Sequence, residues 1–271
     1  MRIMMLAENT ANRADLETVH GLSIYIETPM HKMLFDLGPN DTVFNNAAKL
    51  GIDLADVDKV IISHGHFDHG AALKRFLEIN GKAKVYIRKQ AFEPHFADVK
   101  GGKKFIGLDA GLSESERLVF TGDSMRIDDE LFTFSNVEVS LDTKTASALL
   151  KQTADGYARD DFAHEQNLIL TAEGKAVLFS GCSHSGINGI LAEALKYTSD
   201  ICAVFGGFHL FNPDTKEVEP EELVHWLAEK LSAYDTVFYT CHCTGQESFD
   251  KMRKIMGEKL QYLSAGDSVE L

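Results

Sequence analysis

Three histidines and one aspartate lie within six consecutive residues of this chain: His64, His66, Asp68 and His69. The apolar, β-branched run Val60–Ile62 directly precedes them and predicts a buried strand. Histidine is the commonest protein ligand for metal ions and binds as the neutral imidazole. His64 and His66 point the same way in an extended segment, because side chains alternate there. We therefore expect this pair to bind one ion, while Asp68 and His69 face a second ion beside it.

An apolar strand that ends at a histidine is predicted at three further places, and those histidines are His184, His209 and His242. Loops at the ends of strands, along one edge of a sheet, are where ligand sites form. A single histidine in that position is more often structural than ligating. Four such strand ends, including the one at His64, favour a shared site.

The pattern His64-x-His66-x-Asp68-His69 resembles the signature of the metallo-β-lactamase superfamily of metallohydrolases. Other motifs are similar to a subgroup typified by an archaeal dihydropterin-ribofuranosylaminobenzene phosphate synthase: His20-Gly21-Leu22-Ser23, Phe35-Asp36-Leu37-Gly38, Gly181-Cys182-Ser183-His184-Ser185-Gly186-Ile187, Gly206-Gly207-Phe208-His209-Leu210 and Cys241-His242-Cys243-Thr244-Gly245. The resemblance covers nearly the whole chain. It implies an α/β fold, a four-layer αββα sandwich, with the site at one edge between the two sheets.

The resemblance also implies a ligand set for two ions. One ion is held by His64, His66 and a further histidine, for which His184 is the candidate. The second is held by the Asp-His pair of the motif and by the late His242. Two divalent cations are expected, with zinc favoured and iron or manganese as alternatives, because a histidine-rich site with few carboxylates suits zinc at least as well as iron.

Three residues leave alternatives open within this pattern. Cys182 stands where many superfamily members place a bridging Asp, and a cysteine can bind zinc as a thiolate. His164 stands where many members keep a ligand histidine, so both His164 and His184 are candidates for the first ion. Asp36 is a candidate to accept the second ring N–H of a ligand histidine; alternatively, it is a turn residue bonded to its own backbone.

Such a site predicts a metal-dependent, dinuclear hydrolase. A bound dication lowers the pKa of water to about 7, so that a metal-bound hydroxide attacks a small phosphorylated or ester-type substrate. Asp68 is expected to orient the water or carry a proton, and His209 to act as a general acid or bind substrate. The residues expected to line the substrate pocket are His20, Ser23, Glu165 and Gln166. Capping and turn chemistry explain these four residues equally well.

Two other function classes are compatible with the same motifs. The first is a metal-dependent transferase or synthase with a pyrophosphate leaving group, as in a dihydropterin-type condensation. A site that stabilises a departing phosphate serves hydrolysis and condensation alike. The second is a non-catalytic metal- or ligand-binding protein, against which the full set of ligands argues.

The composition bounds the partners and the compartment. The formal net charge of −14, from 41 acidic and 27 basic residues, argues against a nucleic-acid-binding or anionic-membrane surface, since both need clustered Lys and Arg. No segment has the length of a membrane span, and the first residues predict a strand rather than a signal sequence. The four cysteines form no Cys-x-x-Cys pair, which leaves a structural zinc ribbon unsupported. We expect a cytoplasmic enzyme acting on a small molecule, with no prediction of its oligomeric state.

The elements that must position the site are predicted from periodicity. Hairpins are predicted over 22–37 and 167–179, and helices near 40–50, 73–79, 187–195, 220–231 and 249–256. Strands that alternate with helices are typical of an α/β fold in which helices cover the sheets. A single domain over 1–271 is expected, with loop-rich insertions near 90–117 and 142–165 that form walls or lids of the pocket.

Overall fold

Two seven-stranded β-sheets packed face to face form the centre of the computed structural model, which describes residues 1–141 and 143–271. In these residues the strands are, in chain order, β1 (Arg2–Ala7), β2 (Ser23–Glu27), β3 (Lys32–Phe35), β4 (Lys59–Ile61), β5 (Lys84–Arg88), β6 (His95–Val99), β7 (Gly102–Phe105), β8 (Leu118–Thr121), β9 (Ser124–Arg126), β10 (Leu131–Ser135), β11 (Leu149–Thr153), β12 (Gly156–Arg159), β13 (Gln166–Ala172), β14 (Lys175–Phe179), β15 (Ala203–Gly206), β16 (Val237–Thr240), β17 (Leu260–Tyr262) and β18 (Ser268–Glu270). The α-helices are α1 (Thr42–Lys49), α2 (Phe67–Gly70), α3 (Leu73–Ile79), α4 (Lys144–Ser147), α5 (Ile187–Ala194), α6 (Glu221–Ser232) and α7 (Gln246–Met256).

Each large sheet joins an antiparallel half to a parallel half. The strand order is β18-β1-β2-β3-β4-β5-β8 in the first sheet and β17-β16-β15-β14-β13-β10-β9 in the second. Strands β3, β4, β5 and β8 are parallel in the first sheet, and β14, β15, β16 and β17 are parallel in the second. Parallel strands end at the same edge of a sheet, and ligands bind outside that edge. The loops that follow β4, β14, β15 and β16 carry the histidines of the sequence motifs.

Three apolar clusters account for the four layers. Ile3, Leu168 and Phe205 belong to the cluster between the two sheets. Val43 of α1 and Phe76 of α3 cover the outer face of the first sheet, and α5, α6 and α7 cover the outer face of the second. Helices, sheet, sheet and helices therefore follow one another, and the predicted four-layer αββα fold is confirmed.

Strand β1 illustrates how the sequence produces this layering. Ile3 and Met5 face the core between the sheets, whereas Met4 and Leu6 face the helices on the other side. Side chains alternate along a strand, so an uninterrupted apolar run buries both faces.

The two regions expected to be loop-rich contain regular strands instead. Residues 90–117 contribute β6 and β7, residues 143–165 contribute β11 and β12, and together they form a third, antiparallel sheet in the order β12-β11-β6-β7. Residue 142 of the second region lies outside the described residues. The expectation of irregular structure is wrong for these strands. Strand β7 is exposed along its whole length, so its sequence shows no apolar alternation that predicts a strand.

The helices of the described part of the chain are short. The longest, α6, has 12 residues. Within the described ranges, no helix combines the length and the apolar character that crossing a lipid bilayer requires.

Candidate metal centre

A cleft of about 290 Å³ opens where β4, β14, β15 and β16 end. The polar side chains at its floor include His66, Asp68, Cys182, His184 and His242. Its walls come from the third sheet, from α4 and from the loop that follows β15, and they include Ala97, Val99, Ile106, Leu149, Phe211 and Pro213. Histidines, an aspartate and a cysteine thus lie beneath mostly apolar walls.

The first group of candidate ligands at the floor, called the ligand group below, joins β4 to β14. Nitrogens of His64, His66 and His184 all lie within 4.8 Å of one another. His64 Nε2 is 3.3 Å from His184 Nε2. Two nitrogens that share one tetrahedral zinc at about 2.0–2.1 Å are roughly 3.4 Å apart, so the observed separation suits a single ion. Ser63 Oγ is 2.8 Å from His64 Nδ1, which leaves Nε2 for the centre of the site.

The second group lies around Asp68. Its Oδ2 is 3.2 Å from His242 Nε2, 3.7 Å from His69 Nε2 and 3.5 Å from His20 Nε2. Burial alone would raise the pKa of Asp68, but the neighbouring histidines hold it well below its usual value. Asp68 is therefore ionised and surrounded by nitrogen atoms.

Cys182 lies between the two groups. Its Sγ is 3.2 Å from His69 Nε2, and it also falls within ligand distance of His184 and His209. Burial raises the pKa of the Cys182 thiol well above its usual value. The preceding Gly181 allows this close approach, because a Cβ there would collide with Ser63 and the His64 ring.

These residues fit a divalent cation. Among the described residues, His66 Nε2, His184 Nδ1 and both ring nitrogens of His209 are buried without a hydrogen-bond partner. Such unpaired atoms are costly unless a ligand engages them. Burial, with the neighbouring imidazoles, also lowers the pKa values of His64, His66 and His184, so these rings are in the neutral form that binds metal ions.

Asp36 lies behind the ligands, in the position expected for a carboxylate that orients a histidine. Its Oδ2 is 2.6 Å from His69 Nδ1, and its Oδ1 accepts the Ser63 N–H at 2.7 Å. Burial disfavours the charged His69 ring, but the Asp36 and Asp68 carboxylates outweigh burial and raise the pKa of His69 to about 9. The site thus attracts positive charge to the position where a cation would bind.

Of the four residues expected to line the pocket, the structure places only His20 there. The prediction that Ser23 lines the pocket is wrong, since Ser23 is fully buried and its hydroxyl donates to the Asp36 carbonyl at 2.8 Å. The prediction that Gln166 lines the pocket is wrong for the same reason. Its Nε2 donates to the Ile62 carbonyl at 2.7 Å, and its backbone N–H donates to the Ser63 carbonyl at 2.7 Å.

Glu165, the fourth of these residues, is also buried below the cleft rather than lining it. Its Oε1 accepts the His184 N–H at 2.6 Å, and its Oε2 accepts the Ser185 N–H at 3.1 Å. The interpretation of Glu165 as a substrate contact is wrong, and its carboxylate instead holds the loop that carries His184.

The structure separates the two candidate third ligands. His184 is grouped with His64 and His66, as described above. The Nδ1 of His164 accepts the Gly65 N–H at 2.9 Å, and its Nε2 is 3.3 Å from Asp160 Oδ2. His164 therefore faces a different cluster.

Several residues that support the site were not predicted. Glu8 Oε1 accepts the His242 N–H at 2.6 Å, and Asn9 Oδ1 is 3.1 Å from His242 Nδ1. Ser63 bonds to both Asp36 and His64. Of these residues, only Ser63 could have been recognised from the sequence, because its hydroxyl lies directly between a predicted strand and the first candidate ligand. Glu8 is 234 residues from its partner, too far for any local pattern to reveal the contact.

Four non-glycine residues around the cleft adopt left-handed backbone conformations. Their φ angles are 63° at Asp36, 57° at Ser183, 51° at His209 and 51° at His242. Such conformations are uncommon outside glycine and occur preferentially at functional sites, where the surrounding structure enforces them. Each of the four residues follows the end of a parallel strand.

Comparison with known proteins adds to this geometry. A model of the Metallo-beta-lactamase superfamily matches residues 16–184, more than half of the chain. The uncharacterised protein MJ0448 of Methanocaldococcus jannaschii is 28% identical over 260 residues, covering 93% of this chain and 94% of that protein. The 7,8-dihydropterin-6-methyl-4-(beta-D-ribofuranosyl)-aminobenzene-5'-phosphate synthase of the same organism is 26% identical and covers 100% of this chain and 96% of its own length.

Among solved structures, the chain is similar to Tm1679, a metal-dependent hydrolase of the beta-lactamase superfamily. The two share 27% sequence identity with a TM-score of 0.84, over 100% of this chain and 99% of that one. The similarity therefore extends over the full length of this chain.

Proposed function

Since this chain belongs to the metallo-β-lactamase superfamily, we propose that it is a metal-dependent hydrolase with a dinuclear, zinc-preferring centre. We further propose a small phosphorylated or ester-type molecule as its substrate. One observation carries the proposal: two groups of three buried ligand residues meet on either side of Cys182 at the floor of one cleft.

His64, His66 and His184 would hold the first ion, and Asp68 with two further histidines, His69 and His242, would hold the second. When bound, two such ions lower the pKa of a water molecule and polarise the bond to be broken. The ligand set needs neutral imidazoles and an ionised aspartate. Burial lowers the pKa of His64, and the neighbouring histidines keep the pKa of Asp68 well below its usual value. His69, whose pKa is raised to about 9, would have to release a proton when the ion binds.

The remaining polar groups of the cleft serve proton transfer. Asp68 is within 3.5 Å of His20 as well as of His242, so its carboxylate can orient a water and take up a proton. The His209 ring lies 4.3 Å from the His184 ring, and neither of its nitrogens has a hydrogen-bond partner among the described residues. His209 is therefore available to donate a proton to the leaving group or to bind an anionic part of the substrate.

The walls of the cleft limit the substrate. Its volume of about 290 Å³ suits a small molecule, and the side chains of Leu149 and Phe211 give it an apolar lining. Lys104 and Lys216 also line the cleft, and they supply positive charge to an anionic group. Lys104 is paired with Asp214 at 3.0 Å, which reduces its share of that charge.

A synthase is the second candidate function. It is favoured by the 26% identity, over the whole chain, to a synthase that makes a phosphate-bearing dihydropterin compound. The same ligand groups that would stabilise a departing phosphate in hydrolysis would stabilise a departing pyrophosphate in a condensation.

The proposal is tested by metal analysis of protein purified without added metal. Turnover is then measured for phosphomonoesters, phosphodiesters, lactones and thioesters. Two equivalents of metal and rapid hydrolysis of one substrate class would support the hydrolase. Two equivalents of metal without hydrolysis of any class, but with condensation of a dihydropterin pyrophosphate and an arylamine, would support the synthase. Protein that binds no divalent metal would contradict both.

A further inference from the structure

His66 lies at the boundary of two buried clusters. On one side are His64 and His184, the other members of the first ligand group. On the other side are three residues that the function above does not use, namely His95, Asp160 and His164. Potential ligand atoms of these three residues and of His66 all lie within 4.8 Å of one another, and all four side chains are buried.

Hydrogen bonds hold the second cluster together. The Asp160 carboxylate lies 2.8 Å from His95 Nδ1, and its Oδ1 accepts the Phe162 N–H at 2.9 Å. His95 Nε2 lies 3.1 Å from the Gln90 carbonyl, an acceptor to which it can only donate. Both nitrogens of His95 therefore have a partner, whereas His66 and His184 of the ligand group each have one buried nitrogen without a partner among the described residues.

The orientation of His164 decides what this cluster does. Because Nδ1 of His164 accepts the Gly65 N–H, the ring carries its proton on Nε2. Nε2 lies 3.3 Å from Asp160 Oδ2 but is not aligned with it as in a hydrogen bond. Binding a cation through Nε2 would move that proton to Nδ1. Two N–H groups would then face each other at 2.9 Å. The ring is therefore set to accept a backbone hydrogen bond and not to bind a metal ion.

We propose that His95, Asp160 and His164 are positioning residues for the first ion and do not form a third cation site. His164 holds the Gly65 peptide, which connects the two ligands His64 and His66. Asp160 orients His164, because its Oδ2 lies 3.3 Å from His164 Nε2. The inference rests on the metal site proposed above, but not on which reaction that site performs.

A related arrangement lies behind the proposed second ion. There, Asp36 contacts His69 Nδ1 at 2.6 Å and also accepts the Ser63 hydroxyl at 2.7 Å. Metal-binding histidines usually donate their second N–H to such a carboxylate, and removing the carboxylate typically costs about 10–100-fold in metal affinity. Asp160 would thus support the first ion as Asp36 supports the second. The difference is that Asp36 contacts a ligand histidine directly, whereas Asp160 acts through His164, which holds the loop between His64 and His66.

The decisive test compares His164→Asn with His164→Ala. Asparagine places an amide oxygen close to the position of histidine Nδ1 and keeps an acceptor for Gly65, but it lacks the imidazole nitrogen that a metal ligand would need. We expect His164→Ala to lose about 10–100-fold in affinity for one ion, by chelator competition, and His164→Asn to stay within a few-fold of the wild type. The visible spectrum of the cobalt(II)-substituted protein should change in the alanine variant only. Equal losses in the two variants, or a third equivalent of metal in the wild type, would overturn the proposal.

A measurement without metal keeps the proposal testable if either variant binds metal poorly. Hydrogen exchange of the Gly65 amide in the metal-free protein should accelerate in His164→Ala and remain slow in His164→Asn. An unchanged Gly65 exchange rate in His164→Ala would contradict the role of His164, whatever the metal content.

Asp160→Asn tests the carboxylate, and Asp58→Asn is its matched control. Asp58 Oδ2 is 2.7 Å from His31 Nδ1, so the two form a carboxylate–histidine pair like Asp160 and His95. Asp58 lies before β4, whereas the proposed ligands follow that strand. We expect Asp160→Asn to lower the affinity of the protein for one ion. We expect Asp58→Asn to bind both ions with wild-type affinity. Equal affinities in the two variants would refute the role of Asp160. Wild-type protein without any metal would instead refute the proposed function.

Discussion

Two histidine clusters adjoin at His66, and they differ in what the second nitrogen of each ring contacts. In the ligand group, His184 Nδ1 and His66 Nε2 are buried without a partner among the described residues. In the positioning cluster of His95, Asp160 and His164, His95 has a carboxylate on one nitrogen and a carbonyl on the other. His164 accepts a backbone N–H at Nδ1, and its Nε2 lies 3.3 Å from the Asp160 carboxylate without the alignment of a hydrogen bond. On the proposals above, equally buried histidines would serve different purposes, and the polar contacts of their ring nitrogens distinguish them where burial does not.

His66→Ala should have the largest effect, because His66 is the residue that the two clusters share. We expect the loss of at least one bound metal ion per chain and of activity, with the fold retained. Metal content by elemental analysis and secondary structure by circular dichroism check this. Two equivalents bound to His66→Ala at normal affinity would remove His66 from the ligand group.

His184→Ala and Cys182→Ser sharpen the boundary of the ligand group. His184 is 3.3 Å from His64, so its removal should release the first ion. Cys182→Ser should retain both ions, since each group already has three ligands without the thiol. The reverse result, metal lost from Cys182→Ser and kept by His184→Ala, would make the thiolate a ligand.

His209→Ala tests whether an unpartnered ring near the ligands needs to be a ligand itself. We expect both ions to remain and turnover to fall by about 10²–10⁴-fold, the usual contribution of a general acid. The fall in turnover should be smaller for substrates whose leaving group needs no proton. Loss of an ion would place His209 in the ligand group, and normal turnover of every substrate would make it structural.

The smallest expected effect is that of Asp160 on the stability of the metal-free protein in acid. Burial alone would raise the pKa of Asp160, but His164 and His95 hold it far below its ordinary 3.8. A carboxyl with a lowered pKa stabilises the fold above pH 3.8 and loses that contribution as the pH falls towards its folded-state pKa. Below pH 3.8, metal-free wild type should therefore lose stability more steeply than Asp160→Asn, by up to about 1.4 kcal/mol per pH unit. Denaturant unfolding at several pH values measures the difference, and parallel curves would contradict it.

The parts of the site that could be predicted are those that the chain encodes locally. His64, His184, His209 and His242 each follow an apolar strand, and an apolar run with a histidine at its end can be recognised from a few adjacent residues. The four-layer fold was implied by the family resemblance carried by these motifs, and it is confirmed.

The parts that could not be predicted depend on contacts between distant segments. His95 and Asp160 meet only because β6 pairs with β11 in the third sheet. Strand β7 in that sheet is fully exposed, so no apolar periodicity marked the region as regular. The sequence predicts Glu165 and Gln166 as pocket residues, whereas their partners are backbone groups of distant segments, which no local pattern reveals.

The bond between Glu8 and the His242 backbone joins segments 234 residues apart. Contacts of such sequence separation form slowly, because the chain must close a long loop before they stabilise anything. During synthesis the motif of His64, His66, Asp68 and His69 leaves the ribosome long before His242. For that interval the nascent chain carries a cluster of metal-binding side chains without the residues that complete and position it. The proposed centre can be completed only after β16, which precedes His242, has joined the second sheet, so the binding of both proposed ions would mark a late stage of folding.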